Sequence, residues 1–193
     1  MKSILIISVL LSMYPTGNAL FAQTERHTWL IGGNAHISND FSVDYFRMNI
    51  SPDVGYFIID NLSIGLETPI WFLRADDAVF TSITSSSIGA LPSIRYYLGL
   101  TNSVNVLLNA YGGISFGKTK YGNGLETSKR NYGTLGGRAG LAFFLNKTIA
   151  LETTLNYQNI HRESSISSGD NQLSFTVGFQ IHFRRGDAEK LTE

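Results

Sequence analysis

The chain has 193 residues, 43% apolar and 16% charged, with a mean hydropathy of +0.02, too polar for a bundle of membrane helices and too apolar for a disordered segment. Basic and acidic residues number 15 each and cancel, which removes any case for a nucleic-acid surface. Cysteine is absent, so disulfide staples, thiolate metal sites and a lipidated N-terminal cysteine are excluded.

The first 22 residues read as a secretory signal. Lys2 supplies the positive charge, Ile4 to Met13 the apolar stretch, and small residues follow from Thr16. Cleavage after Ala22 would start the mature chain at Gln23. Cleavage after Ala19 stays open, because Leu20 is larger than the residue usual two positions before such an alanine. No apolar run reaches the length of a spanning helix. The expected organisation is a signal peptide over 1–22, a barrel over 23–183 and a short polar periplasmic tail over 184–193.

From there the apolar residues recur at every second position, the period of a strand. The first run carries Trp29, Ile31, Ala35 and Ile37 on one face. The second carries Phe46, Met48, Ile50, Val54, Tyr56 and Ile58, and the third Leu62, Ile64, Leu66, Ile70 and Phe72. Ala90, Ile94, Tyr96, Leu98 and Leu100 form the fourth, and Val104, Val106, Leu108, Ala110, Ile114 and Phe116 the fifth. Leu135, Ala139, Leu141, Phe143 and Leu145 make the sixth, and Ile149, Leu151, Leu155 and Tyr157 the seventh. The eighth is the most regular, with Leu173, Phe175, Val177, Phe179, Ile181 and Phe183 alternating with polar residues or glycine. Each run is long enough for a tilted strand to cross a bilayer.

Parity constrains the turns. Strands that keep one apolar face across a hairpin need an odd number of connecting residues, and Ile59-Asp60-Asn61, Thr101-Asn102-Ser103 and Asn146-Lys147-Thr148 satisfy this. The other connections read as long loops: Ser38 to Asp44, Arg74 to Ser86, Lys118 to Asn131 and His161 to Asn171. Alternation of short turns and long loops predicts an all-β, eight-stranded antiparallel up-and-down transmembrane β-barrel.

A soluble calyx would place the apolar face inside. The second face argues for the reverse, because Gly55, Gly65, Gly99, Gly113, Gly136, Gly140 and Gly178 all lie on it and an eight-strand lumen needs small residues. That face also carries isolated charges. Asp53, Glu67 and Arg95 lie at one height above the short turns, with Glu152 slightly nearer and Arg138 slightly farther. Asp53 and Glu67 are cross-strand neighbours, unfavourable without a cation between them. An ion-pair network in which Arg95 and Arg138 bridge Asp53, Glu67 and Glu152 is therefore expected inside the lumen. On the outer face, Tyr56, Tyr96, Phe143 and Phe183 would form one aromatic girdle, with Trp29, Phe46, Phe72, Phe116 and Tyr157 towards the strand ends elsewhere. Pro52, Pro69 and Pro92 fall inside strands and are assigned to bulges or local breaks.

The segment Ser51 to Glu67 (SPDVGYFIIDNLSIGLE), the run Ser93 to Leu100 (SIRYYLGL) and the stretch GLAFFLNKTIALETTLNY resemble hairpins and strands of the small bacterial outer-membrane barrels of the OmpA/OmpX type. The resemblance runs from about Thr28 to Phe183. It implies location in the bacterial outer membrane after export, as a monomer in contact with outer-membrane lipid and lipopolysaccharide. It also implies that Phe179 and Phe183 form the signal read by the barrel-assembly machinery. The tail from Arg184 departs from relatives whose final aromatic residue ends the chain, and it is too short for a peptidoglycan-binding domain.

No catalytic, cofactor or metal site is expected. His27, His36, His161 and His182 lack the carboxylate company of a metal site, and His182 reads as a lumen side chain near the periplasmic mouth. Gly122-Asn123-Gly124 reads as a turn rather than a phosphate cradle. Outer-membrane deacylases carry an outward His-x-Ser pair, whereas His182 precedes Phe183 and Arg184. The expectation is a non-enzymatic barrel with a plugged lumen, acting structurally or through loops on an extracellular ligand. The loop Thr81 to Ser87 and the basic loop with Lys118, Lys120, Lys129 and Arg130 are the candidate contact surfaces. A small pore and a lipid A-modifying enzyme are the alternatives.

Overall fold

The computed structural model describes residues 24–40, 45–77, 81–122, 127–162 and 170–184. The expected signal segment and the tail beyond Arg184 lie outside them, while Arg184 itself closes the last strand and pairs with Glu25 at 2.7 Å. Nine strand elements follow in order: β1 (Thr28–Asp40), β2 (Tyr45–Ile59), β3 (Leu62–Glu67), β4 (Ile70–Asp77), β5 (Thr81–Gly99), β6 (Val104–Tyr121), β7 (Thr127–Phe144), β8 (Ile149–Arg162) and β9 (Asp170–Arg184). β3 and β4 are two halves of one strand, since both lie between β2 and β5. All pairings are antiparallel, and β1 with β9 closes the ring. The result is an eight-stranded up-and-down barrel with no free edge.

The prolines are absorbed without slippage. Pro69 divides β3 from β4, because it cannot donate to the ladder, and its carbonyl accepts from the Gly89 amide at 2.9 Å. The β2 ladder keeps one register on both sides of that break, as the β5–β6 ladder does on both sides of Pro92. Pro52 faces Gly33 on β1, whose φ of 141° only glycine adopts without strain. Of the expected bulges or local breaks, breaks are found at Pro69 and at Pro92, where the β5–β6 ladder lacks the pairs of Leu91 and Pro92, and the β1–β2 ladder runs through Pro52 unbroken. A shift of register falls at the first hairpin instead, between Phe57 and Ile59, where Asn61 takes a φ of 67°. The other two short turns are clamped by side chains. Thr101 Oγ1 accepts from the Ser103 and Val104 amides, and Asn146 Oδ1 from those of Thr148 and Ile149.

Apolar residues turn outward. Trp29, Ile31, Ile64, Ile94, Leu108, Leu155 and Phe175 are exposed, whereas the alternate positions Leu30, Asp53, Phe57, Arg95, Leu107 and Glu152 are buried. Along β6 the outward positions stay free of charge from Val104 to Phe116. That is about 40 Å of strand and, at a tilt of about 45°, roughly 28 Å of height, the thickness of a bilayer's hydrocarbon core. Aromatics mark both limits. Trp29 meets Tyr56 in a tilted contact at 5.0 Å near the short turns, and Phe46 meets Phe72 at 6.1 Å near the opposite end.

The strands run farther than alternation implies. β5 begins at Thr81, β6 continues to Tyr121 and β7 starts at Thr127, so most of the expected loops are paired strand. Lys118, Lys120, Lys129 and Arg130, and the Thr81 to Ser87 stretch, therefore lie on the barrel wall and not in loops. Beyond the apolar band both faces meet water, so the ladder continues while the apolar/polar contrast disappears.

Candidate functional site

The lumen is filled in two tiers. Nearest the short turns, Leu30, Phe57, Tyr97, Leu107 and Ala142 pack together, with Phe144 against them. His182, buried here, meets the rings of Phe57, Tyr97 and Phe144 at 5.8, 6.0 and 5.3 Å.

Above it lies a charged belt that brings together all five residues of the expected network. Arg95 Nη2 donates to Asp53 Oδ2 at 2.7 Å, and its Nη1 lies 3.6 Å from Glu152 Oε2. Arg138 Nη2 donates to both oxygens of Glu67, at 2.8 and 2.6 Å. Asp53 and Glu67 are direct cross-strand partners, and each has its own arginine. Three further groups complete the belt. Tyr97 donates to Glu152 Oε1 at 2.7 Å, Gln180 Nε2 donates to Asp53 at 3.0 Å, and Tyr111 lies under the Arg138 guanidinium at 4.6 Å. The Tyr111 hydroxyl in turn donates to Asn156 at 2.6 Å. Sequence reasoning missed these residues. The available signal was parity, since Tyr97 and Tyr111 share a face with Arg95 and Asn109 on their strands.

Three of the lumen glycines leave no room for a side chain. A side chain at Gly140 would strike the Thr153 carbonyl, one at Gly113 the Ala90 carbonyl, and one at Gly136 the Tyr111 ring. Among the belt residues the remaining space is about 20 Å³, on the order of one water. Paired ions here satisfy each other.

The remaining expected residues are dispersed. Phe179 and Phe183 face outward on β9, 55% and 37% exposed. His27 is exposed at the short-turn end, its Nδ1 hydrogen-bonded to the Tyr56 hydroxyl at 2.6 Å, and His161 is exposed on β8. Among the described residues no group of three or more histidines or carboxylates is placed to hold a metal ion.

A closed antiparallel ring, apolar outside between two aromatic levels and ion-paired inside, is an integral β-barrel of the bacterial outer membrane. The chain belongs to the outer membrane protein beta-barrel domain family, whose profile matches residues 6–183. No curated protein sequence matches it. Among solved structures it is similar to the N-terminal β-barrel domain of Pseudomonas aeruginosa OprF, with 14% identity, 82% of this chain and 98% of that chain covered, and a TM-score of 0.42. It is also similar to Ail, the attachment invasion locus protein of Yersinia pestis (11% identity, 81% and 96% covered, TM-score 0.49), and to Neisserial surface protein A (18%, 81% and 96%, 0.49).

Proposed function

We propose that this protein is a non-enzymatic outer-membrane barrel with a closed lumen, working through the polar rim opposite its short turns. The observation that carries this reading is the belt, where paired charges leave space for about one water. A conducting pore needs a continuous wet path, and a barrel enzyme needs a nucleophile or base at the lipid face. The large exposed side chains of the apolar band are aliphatic or aromatic instead. The strands rise beyond the band at the end opposite the short turns, the end that this reading turns to the cell exterior, and 41–44, 78–80, 123–126 and 163–169 are the stretches of sequence that join them there. Signal-directed export would bring the chain there.

Two measurements test this reading. Reconstituted in a planar bilayer, the full chain should show no steady conductance; a stable open channel would overturn the closed lumen. Replacing the four connections with short Gly-Ser turns should leave heat-modifiable gel migration intact while abolishing attachment of expressing cells to surfaces or to one another. Attachment unchanged by that exchange would refute the rim as the working part.

A further inference from the structure

We infer that the lumen above the charged belt is a binding cup for an uncharged saccharide, with the rings of Trp71 and Tyr132 as its stacking surfaces. The inference deepens the reading of the rim end as the working end by naming a ligand class, and it rests on that end facing the exterior.

Parity places the cup. Trp71, on β4, has Asn49 of β2 and Ser87 of β5 as its cross-strand partners, and all three lie on the inner face. It stands four residues beyond Glu67 in the same divided strand, about 13 Å along it and about 9 Å above the belt at a tilt of about 45°. Water reaches into this part of the lumen, because Gln172 and Ser174, inward on β9, are exposed. The paired charges of the belt form the floor. Of the chain's two tryptophans, Trp29 faces lipid and Trp71 faces this wet space.

Tyr132 supplies the second ring. It reaches from β7 over Gly117 of β6, where a Cβ would come within 2.8 Å of the ring's Cε2. The glycine lets the ring lie against the wall instead of crossing the lumen, and Tyr132 remains only half-buried. Gly117 continues the row Asn49–Trp71–Ser87, so the two rings share one wall, two strand spacings or about 10 Å apart. Arg130, the partner of Gly117, ends the row and adds a donor.

The side chains around the rings are hydroxyls and amides. Directly beside Trp71, Asn49 Oδ1 is buried without a hydrogen-bond partner among the described residues. Gln158 accepts from the Tyr111 hydroxyl at 3.1 Å and donates to Gln172 at 2.9 Å, which fixes amides at the edge of the cup. Asn34 and Thr134, also inward and half-buried, extend the lining. Apart from Arg130 this lining is neutral, so recognition rests on hydroxyls and ring faces rather than on charge. An apolar ligand would leave the amides unpaired. A saccharide matches both features: its C–H face packs on an aromatic ring, and its hydroxyls both donate to and accept from amides.

The full chain, folded in an amine-oxide detergent without a sugar headgroup, is applied to a broad array of neutral glycans. It should bind one or more of them, and W71A and Y132L should each bind at least about tenfold more weakly. Y132L keeps bulk over Gly117 without a ring, so unchanged binding by it would make the tyrosine a filler and overturn the cup. In the W29F background Trp71 is the sole tryptophan, and the bound glycan should change its emission. Heat-modifiable migration checks that each variant is folded, and N49A, with a similar loss, serves should W71A fail to fold. Exchange of the four connections for Gly-Ser turns should leave glycan binding intact, since the cup lies on the wall. Loss of binding there would give the ligand to the connections and overturn the cup while leaving the rim reading in place. Polysaccharide released from the same cells should compete if the ligand is the cell's own surface and fail to compete if it is foreign; either result supports the cup. Binding to no neutral glycan, or equal binding by the unaltered chain, W71A and Y132L, would overturn it.

Discussion

Replacing Arg95 with methionine tests whether the belt stabilises the barrel or merely fills it. Arg95 is 5% exposed at its side chain, and both carboxylates that it faces, Asp53 and Glu152, are 7% exposed. Methionine keeps much of the volume and removes the charge, leaving two acidic groups in a closed space. Both retain neutral donors: Gln180 at 3.0 Å for Asp53, and Tyr97 at 2.7 Å with Gln180 at 3.4 Å for Glu152. Breaking a buried pair from one side costs about 3–5 kcal/mol, and these remaining donors place the expected loss near the lower figure. With a urea slope of about 1–3 kcal/mol per molar, the unfolding midpoint should fall by at least about 1 M. The assay is urea unfolding of the barrel in lipid vesicles, followed by tryptophan fluorescence and by heat-modifiable migration. Adding D53N to R95M should restore part of the loss, since it removes one stranded charge, so the two effects should be non-additive by about 1 kcal/mol or more. A midpoint for R95M within experimental error of the unaltered protein, or strict additivity with D53N, would refute the claim that these charges depend on each other.

Three further outcomes follow from the same geometry. Y97F removes the donor to Glu152 and should cost about 1–2 kcal/mol in the same unfolding assay, with the barrel still heat-modifiable. G140A presses a methyl group on the Thr153 carbonyl and should impair refolding severely, whereas G133A enters open space and should refold in the same yield as the unaltered chain. L30A, at a fully buried position in the tier nearest the short turns, should cost about 2–5 kcal/mol, measured as a midpoint shift.

The barrel was legible because each strand separates two different surroundings. Lipid on one side and a crowded polar lumen on the other impose a period of two, and Leu173 to Phe183 shows it without interruption. Parity then placed the short turns, and counting from them put Asp53, Glu67, Arg95, Arg138 and Glu152 at neighbouring heights. Contacts across the lumen were beyond that method. Asp53 and Gln180 are 127 residues apart, and only the closed ring brings them together. Tyr97 shares the inner face with Arg95, but the alternation of its strand does not say which carboxylate across the lumen its hydroxyl meets, and Glu152 is 55 residues away. The strand ends beyond the band were illegible for a different reason. Lys118 and Lys129 sit beyond the apolar band, where the outer face is polar like the inner one, so their sequence carries no alternation although their backbones remain paired.

The two-tier lumen also indicates why charges are used where apolar packing would serve. Leu30, Phe57 and Leu107 show that the lower lumen accepts apolar side chains, so a barrel filled throughout with them is sterically conceivable. Such strands would be apolar on both faces. A one-residue slip of register, which exchanges the two faces, would then cost little. With Asp53, Glu67, Arg95, Arg138 and Glu152 on the inner face, the same slip turns five charges towards hydrocarbon, at about 2–4 kcal/mol for an arginine near the midplane. The belt therefore specifies which face turns inward. The outer wall beyond the band is under no such constraint, and Lys118, Lys120 and Lys129 are found there.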